Sequence, residues 1–503
     1  MSGRRTTESL SSTTEPGDHP ADVEPSDARS RPLVHEAVPG AAAAVADLGI
    51  DGIANARWSG LARAQIKRVS ILDAFPLGAS GGLVVVAAAM AAGAPVLLTV
   101  PIDDTATWTG LHELVIHGGQ VAGTQGGRLI GQRGQRGTWG RTGPTEPLAV
   151  AAASTGPVQP VSPVRPVPGD QSHTSVILDE NSILKLYRRL TTGPNLEAET
   201  LRALARRAEA PVPDWHGSVE LELADGTITS IAIEQALIPN ALDAFEWLAD
   251  GLATWLTDGV EVTSTEMLGE IGLATGRLHR SLAGLTDRDQ APRPPTPADR
   301  AEWRATAVST LDAAIAAVGA VDQQDAMHLE RARSSIVSRL DGFRTSADST
   351  MLQAIHGDLH LGQVLPTPDH VVIIDFEGDP TRDPADRRSV ASPLRDVAGM
   401  LRSIDHVARS GLRRARLGSH LSGRTAIEAL EAWIHSARTA FIRGYANGLG
   451  DPEWLPDPEL LAAFEVEKEL AEFIYAATFL PAWLYAPMGG IRALLGDEFE
   501  TGA

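Results

Sequence analysis

Two stretches carry residue types whose spacing could do chemistry. The first is Ile355-His356-Gly357-Asp358-Leu359-His360-Leu361-Gly362-Gln363, and the second is Ile373-Ile374-Asp375-Phe376-Glu377-Gly378. Together they read H-G-D-x-x-x-x-Q and then D-F-E. Moving a phosphoryl group from a nucleotide to an alcohol asks for a carboxylate that orients the attacking hydroxyl and takes its proton. It also asks for further oxygen ligands that hold magnesium on the phosphates. Asp358 suits the first role; Gln363 and Asp375 suit the second.

The elements that must position these groups are legible around them. Gln363 to Leu365 and Val371 to Phe376 are short apolar runs rich in branched residues, with the turn residues Thr367-Pro368-Asp369 between them. This predicts a hairpin with Asp358 just ahead of it and Asp375 near its far end, close enough to share one metal. The spacing is that of the protein-kinase pattern H-R-D-x-x-x-x-N followed by D-F-G, with Gly, Gln and Glu substituted. A lone H-G-D would read as an ordinary hairpin with scattered acids; the pair at this spacing favours a phosphotransferase site.

Composition narrows the field. The chain has 503 residues, 43% of them hydrophobic, enough for two or more compact units. A formal charge of -21 argues against nucleic acid or an anionic membrane as partner, though a metal and a few local cations can still neutralise a nucleotide. With no cysteine there is no disulfide, thiolate metal site or thiol nucleophile, which fits the cytoplasm. Arg4-Arg5 opens like a twin-arginine signal, but no apolar core follows. The uncharged run from Gly81 to Val100 is broken by Gly93 and Pro95 and reads as two buried strands rather than a membrane span.

Taken in order, residues 1–32 are polar and predicted disordered. Residues 33–150 form an N-terminal cap subdomain: an Ala-rich helix within Val34 to Asp51, strands at 66–75, 83–90 and 96–102, and a short element at 111–116. The Gly, Gln and Arg-rich stretch 118–143 has no Gly-Lys-Ser/Thr and reads as a flexible connection. The Pro-rich residues 151–170 read as a linker. Residues 171–240 form a small nucleotide-binding lobe, and 241–503 a helical lobe bearing the catalytic loop and acceptor site.

The small lobe carries a second nucleotide signal. Ser172, Thr174 and Ser175 precede a hairpin whose second strand, Ile183-Leu184-Lys185-Leu186-Tyr187, holds one lysine in an apolar run. Lys185 is placed to reach the α- and β-phosphates, steadied by Glu199 or Glu197 from the helix opened by Asn195. A snorkelling edge-strand lysine is the alternative. Strand 228–236 then leads to a hinge, where backbone near Glu234 to Ala236 would meet the adenine. Arg395 and Asp396, opening a later helix, could brace the catalytic loop or cap that helix.

These residues resemble the actinobacterial maltokinases, a branch of the aminoglycoside-phosphotransferase-like kinases. The resemblance lies in Gln171-Ser172-x-Thr174-Ser175, His356 to Gln363, Asp375 to Gly378 and Ser392 to Met400, and spans residue 34 to the C-terminal helices. It implies an α+β, bilobal kinase-like fold with a cap subdomain, ATP and Mg2+ as cosubstrates, and a sugar acceptor. It assigns Asp358 as base, Gln363 and Asp375 as metal ligands and Lys185 as the phosphate lysine.

A late maltokinase helix reads roughly E-x-D-K-x-x-Y-E-x-x-Y-E-A-R-x-R-P-x-W. Here Glu465, Lys468, Glu472, Tyr475, Pro481 and Trp483 keep that frame, while Ala471, Ala476, Thr478 and Leu480 replace Tyr, Glu, Arg and Arg. Losing such partners for hydroxyls discriminates against a polyol. Glu465, Glu469 and Glu472 share a helix face and, without arginines, would suit an ammonium group; a solvated acidic face is the bland alternative. The pattern looks more like that of the divergent glucosamine kinases. The expected acceptor pocket takes in Asp358, His360, Glu377, Glu465, Glu469, Glu472 and Trp483. Maltokinase and aminoglycoside kinase are the rival activities. A silent sugar or nucleotide sensor is the rival class, against which the intact Asp358, Gln363, Asp375 and Lys185 argue.

Overall fold

The computed structural model describes residues 38–56, 59, 61–78, 80–102, 104–134, 164–167, 173–239, 241–259, 265–285, 291–346, 350–380, 382–415 and 423–496. The predicted tail therefore lies outside the described residues, as do Ser172 and most of the predicted linker.

Helix α1 (Ala41–Asn55) packs on an antiparallel sheet of β1 (Ile66–Leu77), β2 (Gly81–Met90) and β3 (Val96–Ile102). Val84, Val86 and Ala88 of β2 face the α1 side, whereas Leu83 and Val85 face the main core. Burial on both faces explains the unbroken apolar run, which alternation alone would not produce. Among the described residues no helix is long and apolar enough to cross a membrane. The predicted short element at 111–116 is part of a longer helix, α2 (Asp104–His117).

The Gly-rich stretch differs from expectation. Its described part, residues 118–134, folds as β4 (Gly119–Ala122) and β5 (Arg128–Arg133), which form one edge of a seven-stranded sheet. The other strands are β6 (Val164–Pro166), β7 (His173–Leu178), β8 (Ser182–Tyr187), β10 (Trp215–Glu222) and β11 (Ile228–Ala236), in the order β4-β5-β10-β11-β8-β7-β6. β9 (Arg189–Leu190) crosses to β3 in the first sheet. Glycine is needed in β5 because α2 comes so close: a Cβ on Gly131 would lie 1.9 Å from the Leu114 carbonyl oxygen. The expected division between cap and nucleotide lobe is thus bridged by a continuous sheet, and β6 lies within the predicted linker.

Helix α3 (Leu196–Leu204) follows, and beyond β11 the chain is mostly helical: α4 (Ala244–Asp258), α5 (Glu266–Ala283), α6 (Pro297–Gly319), α7 (Gln323–Arg331), α8 (Arg333–Leu340) and α9 (Gly342–Thr345). The span 323–345 is broken into α7, α8 and α9, and the bends keep Leu329, Ile336 and Phe343 buried in one core. The predicted hairpin is present as β12 (Val364–Pro366) and β13 (Val371–Ile373). The short α10 (Pro384–Arg387), then α11 (Leu394–Arg414), α12 (Gly423–Leu449), α13 (Pro458–Phe479) and α14 (Tyr485–Leu495) complete the lobe. The result is a bilobal, kinase-like α+β fold, with the hairpin at the junction: the Ile373 amide donates to the Pro211 carbonyl of the small lobe at 2.7 Å.

Candidate active site

Lys185 lies on β8 with its side chain buried, and its ammonium meets Glu197 at 2.8 Å, Asp375 at 2.9 Å and Glu377 at 2.6 Å. Burial alone would pull the lysine down. Asp375, Glu197 and Glu377 outweigh it and hold Lys185 well above its ordinary range. Glu197 reaches the lysine from the first turn of α3, which begins where the Asn195 side chain accepts from the amides of Glu197 and Ala198 at 2.8 and 3.1 Å. Burial pushes Glu197 up to about 7, with Asp375 and Glu377 adding to it and Lys185 opposing. Tyr187 donates to the same carboxylate at 2.7 Å.

The loop that carries Asp358 is built on Asp396, near the start of α11. Its Oδ2 accepts from the His356 amide at 2.7 Å and from His279 Nε2 at 3.0 Å, and its Oδ1 accepts from the Gly357 amide at 2.9 Å. His279 in turn meets the Tyr445 hydroxyl at 2.8 Å, so α5, α11 and α12 all hold the loop. Burial would raise Asp396, but the His279 contact and the loop amide keep it below the usual carboxylate range. Gly357 has φ +91°, a conformation that favours glycine, and a Cβ there would press on Gly378 at 3.2 Å. His356 Nε2 donates to the Ile374 carbonyl at 2.9 Å, fastening the first motif to the residue before Asp375.

Asp375 has φ +69°, a left-handed conformation costing a non-glycine residue about 1–2 kcal/mol. That turn directs Oδ1 to Lys185 and lets Oδ2 accept from Gln363 Nε2 at 3.0 Å. Burial would raise Asp375; Lys185 instead holds it well below the usual range. Gln363 closes a short turn capped by His360, whose Nδ1 accepts from the Gly362 amide at 3.1 Å, and the Gln363 carbonyl accepts from the Ile374 amide at 3.0 Å. Gln363 and Asp375 therefore touch.

The donor set fits a hard divalent cation. Glu197, Asp375 and Glu377 each bring an oxygen within 4.8 Å of the others, and the Gln363 amide adds another oxygen type suited to magnesium. A single ammonium stands among three carboxylates. Glu377 Oε1 is buried and, despite its proximity to Lys185, makes no hydrogen bond of good geometry among the described residues. The surplus negative charge is what a cation on a nucleotide would satisfy.

Asp358 follows Gly357, and its Oδ1 accepts from Lys468 of α13 at 3.1 Å. Burial would push Asp358 up, but Lys468 first and then His360 hold it below the usual carboxylate range. The site thus brings together a lysine held among three carboxylates and, one imidazole away, the Asp358 carboxylate. A model of the Phosphotransferase enzyme family matches residues 163–433.

The chain belongs to the phosphotransferase enzyme family.

Its relatives include a glucosamine kinase of Mycolicibacterium smegmatis, 30% identical over 336 residues that cover 66% of this chain and 79% of that one. A glucosamine kinase of Streptacidiphilus jiangxiensis is 30% identical over 341 residues, covering 66% and 73%. Among solved structures, a glucosamine kinase in complex with glucosamine, ADP and inorganic phosphate superposes with a TM-score of 0.63 at 24% identity, over 86% of this chain and 95% of that one. This likeness shows a shared fold.

Several residues expected in the phosphotransferase site face elsewhere. Glu199 does not partner the lysine; it lies on another face of α3 and pairs with Arg388 at 2.5 Å. Ser175 is the cross-strand partner of Lys185 and shares its face, but Thr174 points the other way and accepts from Arg188 at 3.1 Å. The missed neighbour is His173, on the Lys185 face and 3.5 Å from Glu377. Burial, then Lys185, pulls His173 down to about 3 against Asp375. On β11, Ile233 stands opposite Lys185, and the side chain of Glu234, whose backbone was the expected contact, lies on the other face of the strand, buried between His112 and His216 at 2.9 and 3.3 Å. The Ala236 amide is already donated to the Asp214 carbonyl at 2.8 Å.

The acceptor residues are also redistributed. Glu377 stands against Lys185, and His360 caps the turn to Gln363. Glu465 pairs with Arg402 at 2.7 Å and with Arg438 at 2.7 Å, and Glu469 with Arg402 at 3.2 Å and His406 at 3.1 Å. These buried acids are neutralised from α11 and α12 and are not available to an ammonium group. Trp483 packs among Phe245, His406 and Tyr485. Glu472 alone of the three reaches the catalytic corner, through Lys468 at 3.2 Å. Arg395 pairs with Glu467 at 2.6 Å, leaving Asp396 as the brace.

Proposed function

We propose that this phosphotransferase is an ATP-dependent sugar kinase that moves the γ-phosphoryl of ATP to the 6-hydroxyl of D-glucosamine, giving glucosamine 6-phosphate. The observation that carries the reading is the convergence of Lys185, Gln363 and Asp375 on one corner, with Asp358 tied to it through His356. Two relatives named glucosamine kinase support the choice of acceptor.

Each group then has a part. A lysine ammonium has three donors, and those of Lys185 face Glu197, Asp375 and Glu377. The two that meet Asp375 and Glu377 are the ones nucleotide phosphates would take over, while Glu197 keeps the third. Asp375, Glu377 and the Gln363 amide would hold Mg2+. Bound with ATP, magnesium would offset charge on the phosphates. Asp358, ionised, orients the sugar hydroxyl and receives its proton as the phosphoryl transfers. Of the three acids, Glu472 is the one beside Asp358, joined to it through Lys468, whereas Glu465 and Glu469 are committed to arginines.

The test is ADP release with glucosamine, glucose, maltose and kanamycin offered separately with Mg-ATP. Glucosamine should give the highest kcat/KM. Turnover of maltose or kanamycin with none of glucosamine would overturn the assignment; nucleotide binding with no turnover would point to a sensor.

A further inference from the structure

α13 packs mainly through apolar and ion-paired contacts, yet Lys468 leaves that pattern to meet Asp358 at 3.1 Å and Glu472 at 3.2 Å. The lysine side chain is 27% exposed, and its two partners are 24% and 23% exposed, so this is a half-buried, doubly anchored ammonium rather than a loose surface pair. Its helix is fixed on either side of it: Glu465 is locked to Arg402 and Arg438, and Glu469 to Arg402 and His406. Glu472 lies one helical turn on, at the spacing that lets side chains meet. Asp358 Oδ1 is taken by the lysine, whereas Oδ2 makes no hydrogen bond to a described residue.

We propose that Lys468 is a positioning residue of the phosphotransfer: it holds Asp358 by Oδ1, with Glu472 steadying the lysine, so that Oδ2 is the oxygen presented to the acceptor hydroxyl. The inference rests on the reading of Asp358 given above and adds which oxygen acts and what sets its direction. A carboxylate without this anchor turns about its own side-chain bonds, and misplacement by an ångström at a reacting centre costs about 100-fold in rate. The charge also keeps Asp358 ionised. The groups facing the pair are His356 and His360 on the loop, Glu472 on α13, and Asp379 after the second motif.

Lys468→Met, Lys468→Arg and Glu472→Gln test this in the full chain. Lys468→Met should lower kcat about 100-fold while KM for ATP stays near wild type, and should move the acid limb of kcat/KM to higher pH, since the largest opposition to the burial of Asp358 is then gone. Lys468→Arg should recover part of kcat and return the acid limb. Glu472→Gln, which keeps the lysine but loosens it, should give a smaller loss with an unchanged near-UV circular dichroism spectrum. An unmoved acid limb and unchanged kcat in Lys468→Met would overturn the proposal, as would parallel loss of ATP binding in both lysine variants. A readout that needs no acceptor is the 13C titration of the Asp358 carboxyl, its resonance identified with Asp358→Asn. Its midpoint should rise in Lys468→Met, and a fixed midpoint would refute the role even if glucosamine is not the substrate.

Discussion

Replacing Asp396 by asparagine removes one carboxylate oxygen from a position that is 1% exposed. If the amide nitrogen takes the place of Oδ2, it faces two donors, the His356 amide and His279 Nε2. If it takes the place of Oδ1, it faces one, the Gly357 amide. The second orientation therefore wins, and it strands the Gly357 N–H against another donor. A hydrogen bond to a charged group contributes about 1.5–3 kcal/mol, and an unsatisfied buried donor costs about 1–3 kcal/mol. A loss of about 3 kcal/mol in unfolding free energy follows, read by urea denaturation with tryptophan fluorescence. Because the stranded amide precedes Asp358, turnover should fall about 100-fold in ADP-release assays, more than ATP affinity does. A variant within about 0.5 kcal/mol of wild type, the range of ordinary surface changes, with undiminished turnover, would refute the argument that Asp396 holds the loop.

Glu197→Gln should raise KM for ATP by an order of magnitude or more, from a charged hydrogen bond of about 1.5–3 kcal/mol, whereas Glu199→Gln should leave it near wild type; equal effects would return the lysine partner to doubt. The Glu234 contact predicts a pH dependence of stability. Burial pulls His112 down, but Glu234 more than restores it and leaves it raised; burial pushes Glu234 up, but His112 and His216 hold it lowered. A raised histidine stabilises below its unfolded pKa and loses that contribution as pH rises through its folded value. A lowered carboxylate stabilises above its unfolded pKa and loses that contribution as pH falls through its folded value. The thermal midpoint should therefore decline on both sides of that window, and His112→Gln should flatten the alkaline decline; an unchanged alkaline slope would contradict it.

The catalytic hairpin and the lysine strand were legible because both carry their chemistry at short, fixed spacing. What escaped depended on facing. Glu197 and Glu199 are both in the first turn of α3, and local sequence does not say which side of that helix meets β8. Strand alternation did carry a usable signal at the other end: counting back from Lys185 through the hairpin selects Ser175 and His173 and rejects Thr174. The acids of α13 looked unpartnered because Arg402, His406 and Arg438 come from other helices. Lys468 is the lone cation on α13 among five glutamates, but only the fold shows that it reaches Asp358. The glycines of β4 and β5 read as flexibility when at least Gly131 reflects the close passage of α2.

The most direct test of the central claim is Asp358→Asn, measured for turnover and for ATP affinity on the same preparation. The lost group acts on the acceptor hydroxyl, and Lys185, Gln363 and Asp375 remain. Turnover should fall by about 100- to 10,000-fold, the range for a positioned acid–base group, while the Kd for Mg-ATP stays within a few-fold. Turnover equal to wild type would remove Asp358 from the chemistry and, with it, the account of the cleft.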